Sequence, residues 1–271
     1  MKTLVIEAGS TEKHYWGDLW RYRELFYLLV WRDLLVRYKQ TFFGLAWAAL
    51  RPLATMIIFT IVFGKLANFS SDGAPYSILV LAGLIPWQFF TTAFMASGES
   101  LIGNSHILSK VYFPRMIIPV SAVMVCLVDF IVCIFILAGL MWYLDFAPSL
   151  KVIYLPLFFI LLLVFLLGSS LWISALNVKY RDFRYLVPFV IQLGTFISPV
   201  GFSSEIIPDD WRLLYSINPM VGIIDGFRWA LIPNAEFYWP GFIIAIVFSL
   251  FIFLSGVTYF RKVEKNFADI V

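Results

Sequence analysis

Five long apolar runs decide what this chain can fold into. They are Leu45–Leu66 (with Arg51 near its start), Ser77–Ser97, Ile117–Tyr143, Val152–Leu176 and Tyr238–Phe260. Each has about the 20 mostly apolar residues that carry a helix across a bilayer core of about 30 Å. Lipid offers the backbone no hydrogen-bond partner, so a chain inside it must satisfy its own amides, and continuous runs of this length do so as helices. A sixth run, Leu186–Phe202, is shorter and interrupted by Pro188, Gly194 and Pro199, but it carries no charge and counts as a span. A seventh stretch, Leu213–Ile232, holds Asn218, Pro219, Asp225 and Arg228. Charges in mid-span are costly and rare, so this stretch reads as partly inserted.

The distribution of charge fixes the parity. With six spans, residues 1–44, the loops 98–116 and 177–185 and the tail after Phe260 share one side and carry seven, two, three and three Lys or Arg. The opposite side carries four: Lys65, Lys151, Arg212 and Arg228. Fifteen against four obeys the positive-inside rule. A seventh span would carry Arg261, Lys262 and Lys265 outside. The expectation is therefore one all-α membrane domain, residues 1–271, with both termini cytoplasmic. It divides into a cytoplasmic or interfacial segment 1–44, a six-span bundle 45–260 and a tail 261–271.

Composition closes off other classes. Hydrophobic residues make up 61% and charged residues 14% of 271, against 45–50% and about 25% in an ordinary soluble domain. A water-soluble globule is excluded, and so is a disordered chain. A net charge of +3 gives no argument for a nucleic-acid partner. Cys126 and Cys133 lie seven apart in one apolar run, roughly 10 Å apart on a helix and too far for a disulfide. Both read as reduced packing residues.

Enzymatic chemistry is missing from the pattern. No G-x-x-x-x-G-K-[ST] loop is present to cradle nucleotide phosphates. The two histidines, His14 and His106, fall outside the spans, and no cluster has metal-ligand spacing. Ser169, Ser170 and Ser174 have no nearby histidine to activate them. Small residues there suit close helix approach. No cofactor is implied. Asp129 is the carboxylate deep within a span; it reads as an interhelical hydrogen bond or salt bridge, with a functional site as the alternative.

Function points to the polar elements. Met1–Thr11 lacks the apolar stretch of a signal peptide. Trp20–Thr41 interleaves Leu25, Phe26, Leu29 and Val30 with Arg21, Glu24, Arg32, Asp33, Arg37 and Lys39. Asp33 and Arg37, at i,i+4, can pair. Such an N-terminal amphipathic helix suits the headgroup plane; the alternative is a soluble helix packed on a partner. Gly98–Arg115, stopped by Pro114, reads as a short helix along the membrane face or as a solvated loop, with Leu101, Ile102, Ile107, Leu108 and Val111 as its apolar side. In Asn177–Tyr185, Lys179, Arg181 and Arg184 can anchor at headgroups. Ser203–Phe237 has two apolar pieces about Asn218–Pro219, a helix-breaking turn. It reads as a re-entrant outer helical hairpin before the last span, or as a lid on the outer headgroups.

Five segments carry a resemblance to a known family: WRDLLVRYKQTFFGLAWAALRPL at 31–53, LIPWQFF at 84–90, SLIGNSHILSKVYFPRMIIPVS at 100–121, LNVKYRDFRYLVPFVIQLGTFISPVGFS at 176–203 and INPMVGIIDGFRWAL at 217–231. In order and spacing they resemble the membrane permease subunit of ABC-type polysaccharide exporters, which move O-antigen, capsule or teichoic acid polymers. The resemblance runs from about Phe26 to the tail. It implies a homodimer in the bacterial inner membrane, served by two copies of a separate ATP-binding subunit, moving a lipid-linked polysaccharide. It implies that 100–115 is the coupling helix, with Asn104, His106, Lys110, Tyr112, Phe113 and Arg115 facing the ATPase. It implies a gate helix at 20–41, including Arg32, Asp33, Arg37 and Tyr38, and a pair of outer re-entrant helices at 203–233.

A sugar ring has an apolar C–H face, and aromatic side chains offer it a flat apolar surface. A ladder of weak equivalent contacts lets a polymer slide, because conduction needs binding weak enough to release. Candidates for the channel wall are Trp47, Trp87, Phe89, Phe90, Phe94, Phe196 and Phe202; the alternative is interfacial or lipid-facing packing. Three further readings stand beside the exporter: a permease of the same architecture for a drug, lipid or small molecule, a membrane enzyme acting on lipid-linked sugar, and a scaffold or insertion factor.

Overall fold

The computed structural model describes residues 15–39, 44, 46–67, 69, 73–110, 112–180 and 182–267, with the side chains of 109, 110 and 266 left out of the description. The readings above that fall on 1–14, Thr41, Leu45, Val111, Arg181, 268–271 or the Lys110 side chain lie outside the described residues. Among those residues every regular element is helical: α1 (Tyr15–Arg21), α2 (Arg23–Lys39), α3 (Ala46–Phe59, prolonged by a π-helical stretch to Leu66), α4 (Tyr76–Gly103), α5 (Ser105–Lys110) and α6 (Ile117–Tyr143). The chain continues through α7 (Leu155–Lys179), α8 (Phe183–Ile197), α9 (Asp209–Tyr215), α10 (Pro219–Leu231) and α11 (Trp239–Val263).

Five segments are long and apolar enough to cross a membrane: Ala46–Leu66, Tyr76–Gly103, Ile117–Tyr143, Leu150–Lys179 and Trp239–Val263. They coincide with the five long runs, and the chain is a multi-pass membrane protein. The sixth run forms α8, whose 15 residues rise only about 22 Å. Ser198 then leaves the helix in an extended conformation.

The helix with no polar face takes the centre. Ile78, Leu79, Val80, Leu81 and Ala82 are consecutive and fully buried, which requires neighbours on all sides. Helices α6, α7 and α10 supply them. Of the apolar window in α4, 72% is buried inside the chain, against 11% for Ala46–Leu66. Helix α3 is therefore an outlier, with Leu50, Ile57, Ile58, Ile61 and Val62 exposed. On α8 the exposed residues Leu186, Phe189, Val190, Leu193, Phe196 and Ile197 repeat at helical spacing, forming one uncovered apolar stripe.

Helices α7 and α11 meet through glycine. A Cβ on Gly168 would lie 2.4 Å from the Phe253 Cα, and one on Gly256 would lie 2.3 Å from the Gly168 carbonyl oxygen. The backbones touch where neither residue has a side chain, as small residues permit inside membranes. Beside this contact the Trp172 indole donates to the Ser255 hydroxyl (3.0 Å). Cys126 and Cys133 are both free and buried.

Long-range contacts define two ends of the bundle. At one, Tyr15 meets Glu264, Arg32 meets Asn104 and Asn177 meets the Gly98 carbonyl. This end gathers α1, α5, the α7–α8 junction and the close of α11, and most of the basic residues among those described. A second apolar cluster around Leu29, Leu101, Leu108, Phe113, Phe260 and Phe267 packs there. At the other end the Ser149 amide donates to the Leu231 carbonyl (3.2 Å).

Candidate functional site

The N-terminal segment forms two helices, α1 and α2, meeting at Tyr22. Trp16, Trp20, Tyr27, Leu28 and Trp31 are exposed on them, an aromatic and apolar outer surface suited to the headgroup layer. The inner surface is apolar around Leu29, with Leu25 and Phe26 beside it, and becomes polar further along, where α2 climbs α6. Arg32 donates to the Asn104 side-chain oxygen (2.8 Å). One and a half turns on, Arg37 forms an ion pair with Asp129 and donates to the Cys126 sulfur (3.2 Å). Tyr38 donates to the other Asp129 oxygen (2.6 Å). The expected Asp33–Arg37 pair is not formed: Asp33 binds Arg32 (2.7 Å), because Arg37 points inward to the carboxylate on α6. Asp129 is thus an interhelical partner, the structural alternative for that residue.

The Arg37 ion pair and the Tyr38 hydrogen bond, rather than depth, let Asp129 carry a charge. Helices α4 and α6 have 28 and 27 residues, about 40 Å of rise each, roughly 10 Å more than the hydrocarbon core. Asp129 follows Ile117 by twelve residues, about 18 Å of rise. With the whole surplus at the basic end, the carboxylate still stands about 8 Å inside the hydrocarbon core, roughly halfway to the midplane, so its partners on α2 are what it depends on. The phenol of Tyr38 is pushed well above its usual pKa, by burial first and then by its hydrogen bond to Asp129, so it stays a donor.

This latch floors a cleft of about 410 Å³ between α2, α3, α4 and α6, walled by Trp47, Arg51, Gln88, Phe89 and Thr92. Aromatic faces beside amide, hydroxyl and guanidinium groups match the two chemistries of a sugar ring. Among the proposed channel residues, the cleft brings together Trp47 and Phe89. Phe89 also packs on Phe130 (5.1 Å). Phe90 lies within the chain, stacked on Phe165 (5.0 Å) and Phe94 (5.5 Å). Trp87 is buried and donates to Thr195 on α8 (3.1 Å). Phe196 is exposed on the stripe of α8. Phe202 is half-buried beyond its end.

Within the segment 98–115, residues 98–103 complete α4 and 105–110 form α5, while 112–115 are not helical. Helix α4 runs to Gly103, Asn104 closes it, and α5 follows at once. Leu101, Leu108 and Phe113 are buried. His106 and Tyr112 are exposed. The Arg115 guanidinium donates to the Glu264 carbonyl. Of the six residues named for partner contact, Phe113 therefore sits inside the chain and Arg115 is held to α11's end.

Arg228 is the polar residue whose role the sequence conceals. It is 3% exposed and donates to the carbonyls of Leu79 (3.2 Å), Phe202 (2.7 Å) and Val200 (3.0 Å). Ser204 donates to Asp225 (2.6 Å), one turn before it. The Asn218–Pro219 turn starts α10, with the Asn218 side chain capping the Met220 amide (3.1 Å). Nearly the whole of α10 is buried. An arginine in a mostly apolar stretch is the signal, since it must find acceptors inside the protein.

A family profile described as ABC-2 type transporter matches residues 24–232, from the latch helix through α10. The chain belongs to this family. An O-antigen export system permease protein of Klebsiella pneumoniae is 29% identical over 256 residues, covering 92% of this chain and 95% of that protein. One of the same description from Myxococcus xanthus is 27% identical, covering 93% and 97%. A polysialic acid transport protein of Escherichia coli is 22% identical, covering 86% and 91%.

Proposed function

We propose that the chain is the channel-forming subunit of an ATP-driven exporter that moves a lipid-linked cell-surface polysaccharide, such as O-antigen, out of the cytoplasm across the bacterial inner membrane. The observation that carries this is the end-to-end match to permeases named for O-antigen export. The ABC-2 family implies an ATP-binding partner, which acts as two separate copies. Six crossings put both termini in the cytoplasm. The sixth is α8 with residues 198–202, supported by contacts that run from α4's middle, at Trp87–Thr195, to its start, where Arg228 links Leu79 with Val200.

A homodimer covers the exposed faces of α3 and α8 and encloses the cleft of Trp47, Arg51 and Gln88 as a channel wall. Helix α2 is the gate: the Arg37–Asp129 latch holds it shut against α6. His106 and Tyr112 present α5 and its following turn to the ATPase, and α9–α10 form the re-entrant outer closure anchored by Arg228.

Chromosomal deletion tests the function. Loss of surface polymer, with lipid-linked polymer accumulating in the cytoplasm, is expected, and this chain should restore export. Normal surface polymer in the deletion strain overturns the reading. A drug or lipid substrate would show instead as altered resistance or lipid content with surface polymer intact.

A further inference from the structure

A second cavity, of about 890 Å³, lies at the basic end between α1, the turn after α5 and the close of α11. It is separate from the cleft beside the latch. Its lining changes along its length. Val257 and Thr258 lie on the last apolar turns of α11, and Arg115, Arg261, Lys262 and Lys265 follow. Trp16 stands exposed at the rim, a side chain that favours the boundary between hydrocarbon and water.

Two of the cations are held in place. Arg261 lies over the Tyr15 ring at 4.7 Å. Arg115 lies 6.0 Å over Phe267 and donates to the Glu264 carbonyl. Two carboxylates also face the cavity, Asp18 and Glu264. Glu264 accepts a hydrogen bond from the Tyr15 hydroxyl (3.0 Å), and burial raises its carboxyl to about 7, so it opposes the cations only weakly near neutrality. Four cations against two carboxylates, one of them partly neutral, leave the cavity positive.

We propose that this cavity binds the phosphate headgroup of an anionic phospholipid from the cytoplasmic leaflet, its acyl chains lying along Val257 and Thr258. The phosphate takes charge-assisted bonds from Arg115 and Arg261, and Lys262 and Lys265 add point charges. A soluble anion would use the charged half of the cavity and leave the apolar half empty. The bound lipid ties α1, the segment beside α5 and the tail into one unit. This inference does not depend on which substrate the protein exports.

The test uses the full chain, purified in mild detergent with whatever subunits accompany it. Native mass spectrometry and titration measure binding of phosphatidylglycerol, phosphatidylcholine and inorganic phosphate. Phosphatidylglycerol is expected to bind at least tenfold more tightly than either other probe. Replacing both cations of α11 (Arg261→Gln with Lys262→Gln) is expected to weaken it about tenfold or more, the scale of two lost near-surface charges, while Arg261→Lys with Lys262→Arg retains it. Equal binding of phosphatidylcholine overturns the charge recognition. Equal binding of inorganic phosphate overturns the lipid assignment in favour of a free anion. Unchanged phosphatidylglycerol binding in the folded Gln pair overturns the site. Should the Gln pair not fold, Lys262→Gln alone at the exposed position must still weaken binding several-fold, and no change there likewise overturns it.

Discussion

Replacing Asp129 by Ala should free α2 from α6. The ion pair is partly shielded, with side-chain exposures of 33% for Arg37 and 22% for Asp129. Breaking a fully buried pair by removing one partner costs about 3–5 kcal/mol, and an exposed pair is worth about 0–1 kcal/mol. The intermediate burial, with the Tyr38 hydrogen bond lost as well, argues for about 2 kcal/mol. At about 1.4 kcal/mol per factor of ten, that is a roughly 30-fold rise in local opening of the helix. Hydrogen exchange read on a peptide covering 23–39 should show it, while peptides from α4 stay protected. Asp129→Asn keeps an acceptor for Tyr38 and should give a smaller rise. Arg37→Gln combined with Asp129→Asn should cost less than the sum of the two changes. Exchange of α2 within about threefold of the unaltered protein in folded Asp129→Ala would refute the latch.

Gly256→Leu should collapse the α7–α11 contact, since any side chain there meets the Gly168 carbonyl; the expected cost exceeds about 3 kcal/mol, read as loss of monodisperse protein in detergent. Arg228→Met should leave three carbonyls without their donor and cost several kcal/mol, about 1–3 for each buried group left unsatisfied, seen as a lowered midpoint of thermal unfolding. Glu264 has a folded-state pKa raised from 4.5 to about 7, so its neutral form favours the folded state. That contribution is complete below about 4.5 and is lost as pH rises towards and through 7, to a limit of about 3 kcal/mol. Melting temperature should therefore fall across this window, and Glu264→Gln should flatten that part of the profile. His106→Glu with Tyr112→Ala should reduce co-purification of the ATP-binding subunit at least tenfold without changing the melting temperature; undiminished recovery would remove these two residues from the docking surface.

Hydropathy made the spans legible because the bilayer imposes a length on each helix regardless of its neighbours. The runs around Ile117–Tyr143 and Tyr238–Phe260 need no tertiary information, and the structure returns them nearly unchanged. For 98–115 the spacing of Leu101, Leu108 and their neighbours allows a short helix but leaves a loop equally open, and residues 105–110 take the helix. Pairing was not legible. Arg37 and Asp129 stand 92 residues apart, and only the way α2 climbs α6 decides that Arg37 reaches the carboxylate rather than Asp33. The aromatic candidates failed to separate because Phe90 and Phe196 look alike in sequence. One is enclosed by α7 and the other projects from α8, and amphipathic patterning in a membrane carries no record of which apolar surface meets lipid and which meets protein.

The three carbonyls gathered by Arg228 have a consequence for biogenesis. Leu79 leaves the ribosome 149 residues before the arginine that engages it, and Val200 and Phe202 leave 28 and 26 residues before it. Until that arginine arrives, the carbonyls of Val200 and Phe202, outside any helix, lack this donor in a solvent that supplies none. A nascent chain stalled before position 228 thus displays unfinished polar backbone to the membrane's surveillance proteases. Completion of the outer hairpin removes that exposure, and α11 then has only to pack on α7 to close the bundle.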